Sequence, residues 1–189
     1  MLCAMSSPEA GPVPVWAHEA VEIVPANPRW PELAAAEISR LERLLGPRLV
    51  AGIHHVGSTS VPGLEAKPIL DLLAGIRDHA PDPDPALTAA GWHLVPVELD
   101  GKPWRRLYVL PKDGKRYSHL HLVVPTSAPF RVFLTFRDQL RADPETTRAY
   151  AALKRELAER HRTDREAYTR AKSSFIEGVL ARSSPSFAR

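Results

Sequence analysis

Residues 54–71 read HHVGSTSVPGLEAKPILD, and this stretch decides the fold. The apolar residues 49–56 predict a strand that ends abruptly at Gly57-Ser58, and the apolar run 69–76 predicts a second strand covered on both faces. A Gly-Ser turn at the end of a strand can offer backbone N–H groups and a hydroxyl to a phosphate. Asp71 on the second strand can hold a divalent metal against that phosphate. From spacing alone, a tight turn with a carboxylate paired to a nearby Lys or Arg explains the same residues.

The composition is that of a single globular domain. Of the 189 residues, 44% are hydrophobic and 25% are charged, which excludes disorder for most of the chain. No apolar run approaches the roughly 18 residues that a membrane helix requires. The net charge of +3 is too small to indicate duplex-DNA binding, so nucleic acid is not an expected partner. The single cysteine, Cys3, cannot form an internal disulfide, which fits a cytoplasmic protein.

Outside this turn, proline placement and apolar periodicity predict helices and short strands in a mixed order. The predicted helices begin near Pro31, Ser127, Asp143 and Thr163, and a shorter one ends at Ala90. The predicted strands cover residues 93–99, 104–110 and 117–124, and the last two flank an Asp113-Gly114 hairpin turn. We therefore expect a flexible tail over residues 1–20 and one α/β (α+β) domain over residues 21–183, with a mixed β-sheet flanked by helices.

Two histidines in the predicted strand 117–124 are candidate site residues. His119 and His121 are two residues apart, so their side chains project from one face of the strand, opposite to Leu120 and Leu122. On that face they can line a cleft together with Asp71. A half-exposed sheet face without any ligand explains the same pattern.

Residues 54–71 and four shorter stretches resemble the GrpB family. The shorter stretches are NPRW at 27–30, HLHL at 119–122, FRD at 136–138 and AYTRAK at 167–172. GrpB proteins belong to the nucleotidyltransferase superfamily, which has a DNA-polymerase-β-like catalytic fold, and some relatives are fused to dephospho-CoA kinase. The resemblance covers nearly all of the chain after the tail. It implies a mixed sheet flanked by helices, with a nucleotide site at the Gly-Ser turn.

The resemblance and the chemistry of the residue types together give particular residues a role. Asp71 and His121 are the expected catalytic residues, and Asp71, His119 and His121 are the expected metal ligands. The residues expected to contact the nucleotide are Gly57, Ser58, Thr59, Lys67, Arg105 and Lys172. Arg105 is included because a guanidinium matches phosphate geometry, although a solvated hairpin explains the basic residues around it equally well.

The chain departs from the superfamily pattern at two acidic positions. That pattern has Asp-x-Asp on the second strand and a third acidic residue on a later strand. Here the second position is Leu73, and the third falls near His119 or His121. One carboxylate with imidazole is a poor ligand set for Mg²⁺ and favours Mn²⁺ or Zn²⁺.

Two functions follow from this pattern. The first is transfer of a nucleotidyl group from a nucleoside triphosphate to a small-molecule or protein acceptor, with a divalent metal (Mg, Mn or Zn). The second is a catalytically degenerate nucleotide-binding or protein-folding accessory domain, which Leu73 favours. Single-stranded nucleic-acid binding is the weakest interpretation, because basic residues alternate with aromatic ones only at residues 104–108.

Overall fold

The computed structural model describes Trp16 and residues 19–79 and 84–183. Most of the predicted tail, residues 1–20, therefore lies outside the described residues. Trp16 is an exception, and its carbonyl accepts a hydrogen bond from Arg116 Nε at 3.2 Å. The Trp16 ring also lies beside the guanidinium of Arg116 and the ring of His93.

The described chain forms helices and strands close to the predicted positions. The helices are α1 (Trp30–Leu45), α2 (Pro85–Ala89), α3 (Val97–Asp100), α4 (Ala128–Ala142), α5 (Pro144–Arg160), α6 (Arg165–Ala171) and α7 (Ser173–Ser183). The strands are β1 (Leu49–Val56), β2 (Leu70–Ile76), β3 (His93–Leu94), β4 (Arg105–Lys112) and β5 (Lys115–Val123).

The strands form one mixed sheet in the order β1-β2-β5-β4-β3. The central pair, β2 and β5, is parallel, and the other neighbouring pairs are antiparallel. The β4–β5 connection is the predicted hairpin, and both Asp113 and Gly114 adopt the positive φ that such a turn needs. The predicted single α+β domain with a mixed sheet flanked by helices is confirmed.

The sheet has a helical layer on each face. On one face, α1 and α2 cover an apolar core that is built from Leu70, Leu72, Ala74, Leu120 and Leu122 together with Trp30, Leu41, Leu45, Leu87 and Trp92. On the other face, Phe130 of α4 packs on Val56, Leu73 and Val123. Further along this second layer, Tyr150 of α5 and Tyr168 of α6 belong to two smaller apolar clusters. None of the helices in the described ranges is long and apolar enough to cross a membrane.

The predicted strand over residues 93–99 is wrong beyond its first part. Pro96 lacks the N–H that a strand ladder needs, and its carbonyl instead accepts from the backbone N–H groups of Leu99 and Asp100, which opens α3. Gly101 ends this turn in the left-handed conformation. As a consequence, Asp100 lies in a helical turn next to the start of β4.

The starts of two predicted helices also differ in detail from the expectation. The last predicted helix begins at Arg165, two residues after Thr163, because the Asp164 side chain accepts from the Ala167 N–H and caps it. It is also divided into α6 and α7. Ser127 precedes α4 as expected, but its hydroxyl donates to the Val124 carbonyl.

Candidate functional site

Asp71 is the centre of the candidate site, on the face of β2 that α4 covers. In the parallel pairing of β2 with β5, Asp71 lies opposite His119, and Leu73 lies opposite His121. The Asp71 Oδ1 atom is 2.9 Å from His119 Nδ1 and 3.4 Å from His121 Nε2. One ligand atom from each of the three residues lies within 4.8 Å of the others. The structure thus brings together the three residues that the sequence predicts as metal ligands.

Gly57 brings the Gly-Ser turn into contact with this carboxylate. The antiparallel pairing of β1 with β2 sets Val56 opposite Asp71, so the chain turns away at the point where the carboxylate lies. A Cβ atom on Gly57 would lie 2.3 Å from Asp71 Oδ2, which no real contact permits. Gly57 also has a φ of 69°, which disfavours other residue types. The position therefore requires glycine for two independent reasons.

The hydroxyl groups after Gly57 have partners within the protein. The Thr59 hydroxyl is buried, donates to the Ile69 carbonyl at 3.1 Å, and lies 3.0 Å from His55 Nε2. Burial lowers the pKa of His55 to about 4, so this imidazole is neutral. The Ser58 side chain lies near that of Tyr150 on α5. These contacts fix the turn against β2 and α5, whereas phosphate contacts of Ser58 and Thr59 stay predictions.

Arg105 lies behind His121. Its Nε and Nη2 atoms donate to the Asp100 carboxylate at 2.8 and 2.5 Å, and its Nη1 is 2.7 Å from His121 Nδ1. A guanidinium can only donate, so His121 Nδ1 must be the acceptor, and the proton of the neutral imidazole is on Nε2, facing Asp71. Arg105 therefore orients His121 in this structure, and its expected contact with a nucleotide stays a prediction.

His119 has the opposite arrangement. Its Nδ1–H donates to Asp71, and its Nε2 is buried with no hydrogen-bond partner among the described residues. Burial lowers the pKa of His119 to about 4, and it also lowers the pKa of His121. Burial alone would raise the pKa of the Asp71 carboxyl, but the hydrogen bonds from both histidines hold it well below its usual range. The site thus contains an ionised carboxylate and two neutral imidazoles.

Leu73 is fully buried. It packs with Val56, Val123 and Phe130, so the position where the superfamily has a second carboxylate is part of the apolar core. A charge at this position would lose its hydration without gaining a partner.

Lys67 and Lys172, expected to contact the nucleotide, lie close together although they are 105 positions apart in the sequence. Their ammonium groups are 5.0 and 4.5 Å from the centre of the Tyr168 ring. Both are also near enough to Asp71 for its charge to raise their pKa values, against a stronger lowering by burial. Sequence reasoning missed Tyr168 as a site residue, although it lies inside the AYTRAK stretch at 167–172, and it missed Arg165 entirely.

The fold and this cluster define a class of protein, an α+β domain whose mixed sheet holds an Asp–His cluster against a Gly-Ser turn. A family model described as GrpB protein matches residues 20–182, and the chain belongs to the GrpB family, as its motifs predict. A UPF0157 protein of Pseudomonas aeruginosa is 41% identical in an alignment 174 residues long that covers 86% of this chain and 67% of that one.

Two further relatives extend the comparison. The crystal structure of the conserved protein GrpB from Enterococcus faecalis matches with a TM-score of 0.74 and 26% identity, covering 89% of this chain and 100% of that chain. A dephospho-CoA kinase of Mycolicibacterium paratuberculosis is 27% identical across 88% of this chain and 46% of its own length.

Proposed function

We propose that the protein binds a nucleoside triphosphate and a divalent metal at Asp71 and transfers the nucleotidyl group to a small-molecule or protein acceptor. One observation supports this proposal above the others: the ionised Asp71 carboxylate lies against Gly57 of the turn and within hydrogen-bond distance of His119. A nucleotide-related role is also supported by the similarity to part of a protein named dephospho-CoA kinase.

The donor set of the site suits a borderline metal. Asp71 offers a carboxylate, and His119 offers Nδ1, which lies 2.9 Å from that carboxylate and becomes a ligand once its proton moves to Nε2, an atom with no other partner in the described part of the chain. Both ring nitrogens of His121 are already engaged, by Arg105 and by Asp71. We therefore expect Asp71 and His119 to hold the ion, with Mn²⁺ or Zn²⁺ bound more tightly than Mg²⁺. A bound ion would supply positive charge next to the phosphates.

The proposed reaction is a displacement at phosphorus. An oxygen or nitrogen of the acceptor forms a bond to the α-phosphorus, the bond from that phosphorus to the bridging oxygen of the β-phosphate breaks, and pyrophosphate leaves with the electron pair. The acceptor's proton passes to a base. The Asp71 carboxylate, whose pKa is held well below its usual range, binds the metal and does not retain this proton, and His121 as held by Arg105 carries its own proton toward Asp71, so in this geometry the proton leaves to solvent. The expected role of His121 as a base would first require its Nε2 proton to leave.

The second candidate is a nucleotide-binding or protein-folding accessory domain without catalytic activity. The buried Leu73 favours it, because two-metal phosphoryl transfer relies on paired carboxylates to balance the charge of two cations. The two candidates share the binding site and differ only in the release of pyrophosphate.

Titration calorimetry with a panel of nucleoside triphosphates, each with Mg²⁺, Mn²⁺ or Zn²⁺, tests the proposal, together with an assay for pyrophosphate release. Asp71→Asn should weaken metal-dependent nucleotide binding by about tenfold or more. Asp113→Asn, in the exposed hairpin turn, is the matched control and should bind like the unmodified protein. Binding without pyrophosphate release with any acceptor would favour the accessory domain. No binding with any metal would contradict both candidates.

A further inference from the structure

Three cationic side chains converge next to Asp71, from two distant parts of the chain. Lys67 lies in the loop before β2, Arg165 is the first residue of α6, and Lys172 follows α6. Each of them interacts electrostatically with the Asp71 carboxylate. Arg165 also interacts with both lysines, so the three cations lie within one small region.

Tyr168 provides the surface on which the two lysines lie. Its ring is buried, and the ammonium groups of Lys67 and Lys172 lie 5.0 and 4.5 Å from its centre. Neither ammonium donates a hydrogen bond to any residue in the described ranges. A cation–π contact stabilises an ammonium only in part, because its three N–H donors can still bind hydrogen-bond acceptors.

The three cations have fewer negatively charged acceptors around them than they could bind. Asp71 Oδ1 already accepts from two imidazoles. Arg165 lies 3.9 Å from Glu19, and its Nη2 is buried without a hydrogen-bond partner among the described residues. Burial and the neighbouring cations hold the pKa of Lys67 well below its ordinary value, and burial lowers the pKa of Lys172 to about 8. Three cations that repel one another and point to few acceptors are what a bound polyanion would stabilise.

We infer that Lys67 and Lys172 on the Tyr168 ring, together with the neighbouring Arg165, form a binding site for the phosphate chain of a ligand, with pyrophosphate as its simplest occupant. A phosphate chain fits better than a single carboxylate, because it offers several charged oxygens to three separate donors. This inference rests on the proposed function only in identifying the ligand as the phosphate chain of the nucleotide. Arg165 and Tyr168 are the components that the sequence motifs did not predict.

The inference is tested by calorimetric titration of inorganic pyrophosphate into metal-free protein. Lys172→Gln and Arg165→Gln should each weaken binding by about tenfold. Lys112→Gln is the matched control, because the Lys112 ammonium also lies over a tyrosine ring, 5.5 Å from the centre of Tyr117, on the hairpin. The control should bind pyrophosphate like the unmodified protein. Equal losses in the control and the site variants would indicate non-specific charge attraction and overturn the inference, as would no binding by the unmodified protein.

Two measurements keep this test separate from folding and from the proposed function. Thermal melts of the glutamine variants should show no loss of stability, since each removes a crowded cation; variants that melt early are replaced by Lys172→Met and Arg165→Met. Asp71→Asn should lose metal binding and yet bind pyrophosphate at least as well, because a negative charge is removed. Loss of pyrophosphate binding in this variant would overturn the inference. Pyrophosphate binding without any metal-dependent nucleotide binding would contradict the proposed function and leave the anion site in place.

Discussion

The two faces of the central strand pair, β2 and β5, differ in what they bury. On the α1 face, the alternate residues in the paired region are all buried, and they are apolar (Leu70, Leu72, Ala74, Leu120 and Leu122) except for Ser118, whose hydroxyl donates to the Leu70 carbonyl. On the α4 face, the same alternation begins with Asp71 opposite His119, continues with Leu73 opposite His121, and ends with Gly75 opposite Val123. The first face is therefore a core along its whole length. The second face changes from polar to apolar along the strands, and the change begins at Leu73.

The largest expected effect comes from placing a charge at Leu73, where the α4 face changes from polar to apolar. Leu73→Asp should lower the free energy of unfolding by on the order of 4 kcal/mol, because Leu73 is fully buried among apolar side chains. Urea denaturation with and without Mg²⁺ measures this effect. Leu72→Asp, on the α1 face, is the matched control, and neither variant should be rescued by Mg²⁺. Rescue of Leu73→Asp alone, with tighter metal binding, would show that the polar site extends to residue 73 and that the second carboxylate has simply been lost.

A smaller effect is expected at Gly57, where the Gly-Ser turn contacts the Asp71 carboxylate. Gly57→Ala should destabilise the protein by about 1–3 kcal/mol, since alanine is strained at positive φ and its Cβ would displace the Asp71 carboxylate. Gly63→Ala has the same kind of φ, 74°, but its Cβ would meet nothing within 4 Å. Denaturant melts should therefore show a loss in both variants, whereas metal binding should be lost in Gly57→Ala only. Unchanged metal affinity in Gly57→Ala would mean that the turn does not position the carboxylate.

Much of the Asp–His cluster on the α4 face could be predicted from the sequence, because it depends on patterns within short segments of the chain. The apolar runs of β1 and β2, the Asp113-Gly114 turn and the alternation at residues 119–122 are local signals. Once β2 and β5 are neighbours, Asp71 and the two histidines must share a face.

The remaining features depend on contacts between distant segments. Arg105 could not be assigned to Asp100 while residues 93–99 were expected to be extended, because only the helical turn after Pro96 brings that carboxylate next to β4. Tyr168 and Arg165 of α6 reach the site because Lys67, in the loop before β2, lies over the Tyr168 ring and interacts electrostatically with Arg165. Neither the spacing nor the periodicity of α6 contains that information.

The helical layer over the polar face also contains a buried amine whose charge depends on pH. Lys154 of α5 is 2% exposed, its ammonium donates to the Glu65 carbonyl, and burial lowers its pKa to about 7. Between pH 7 and the ordinary lysine pKa near 10.5, the unfolded chain binds more protons at this residue than the folded protein does. Stability from this group must therefore rise with pH in that window, by roughly 1 kcal/mol per pH unit.

Unfolding free energies at pH 7, 8 and 9 test this expectation. The unmodified protein should gain stability over this range relative to Lys154→Met, which has no titrating amine at this position. The exposed Lys112→Met is the control, and its difference from the unmodified protein should stay constant with pH. A difference between the unmodified protein and Lys154→Met that stays constant or falls with pH would show that burial does not lower the pKa of Lys154 in the folded state.

The smallest expected effect concerns which ring nitrogen carries the proton in His119 and in His121. Because Arg105 donates to His121 Nδ1, and His119 Nδ1 faces the Asp71 carboxylate, the metal-free protein should contain His121 protonated at Nε2 and His119 protonated at Nδ1. Long-range ¹H–¹⁵N correlation spectra distinguish these tautomers. His54 is an internal reference, since its Nε2 lies 3.0 Å from the Ala51 carbonyl, which can only accept. On adding Zn²⁺, the His119 signals should shift, while His121 should keep its Nε2 proton. Loss of that proton would make His121 the metal ligand, and the same tautomer at both residues would remove the distinction between them.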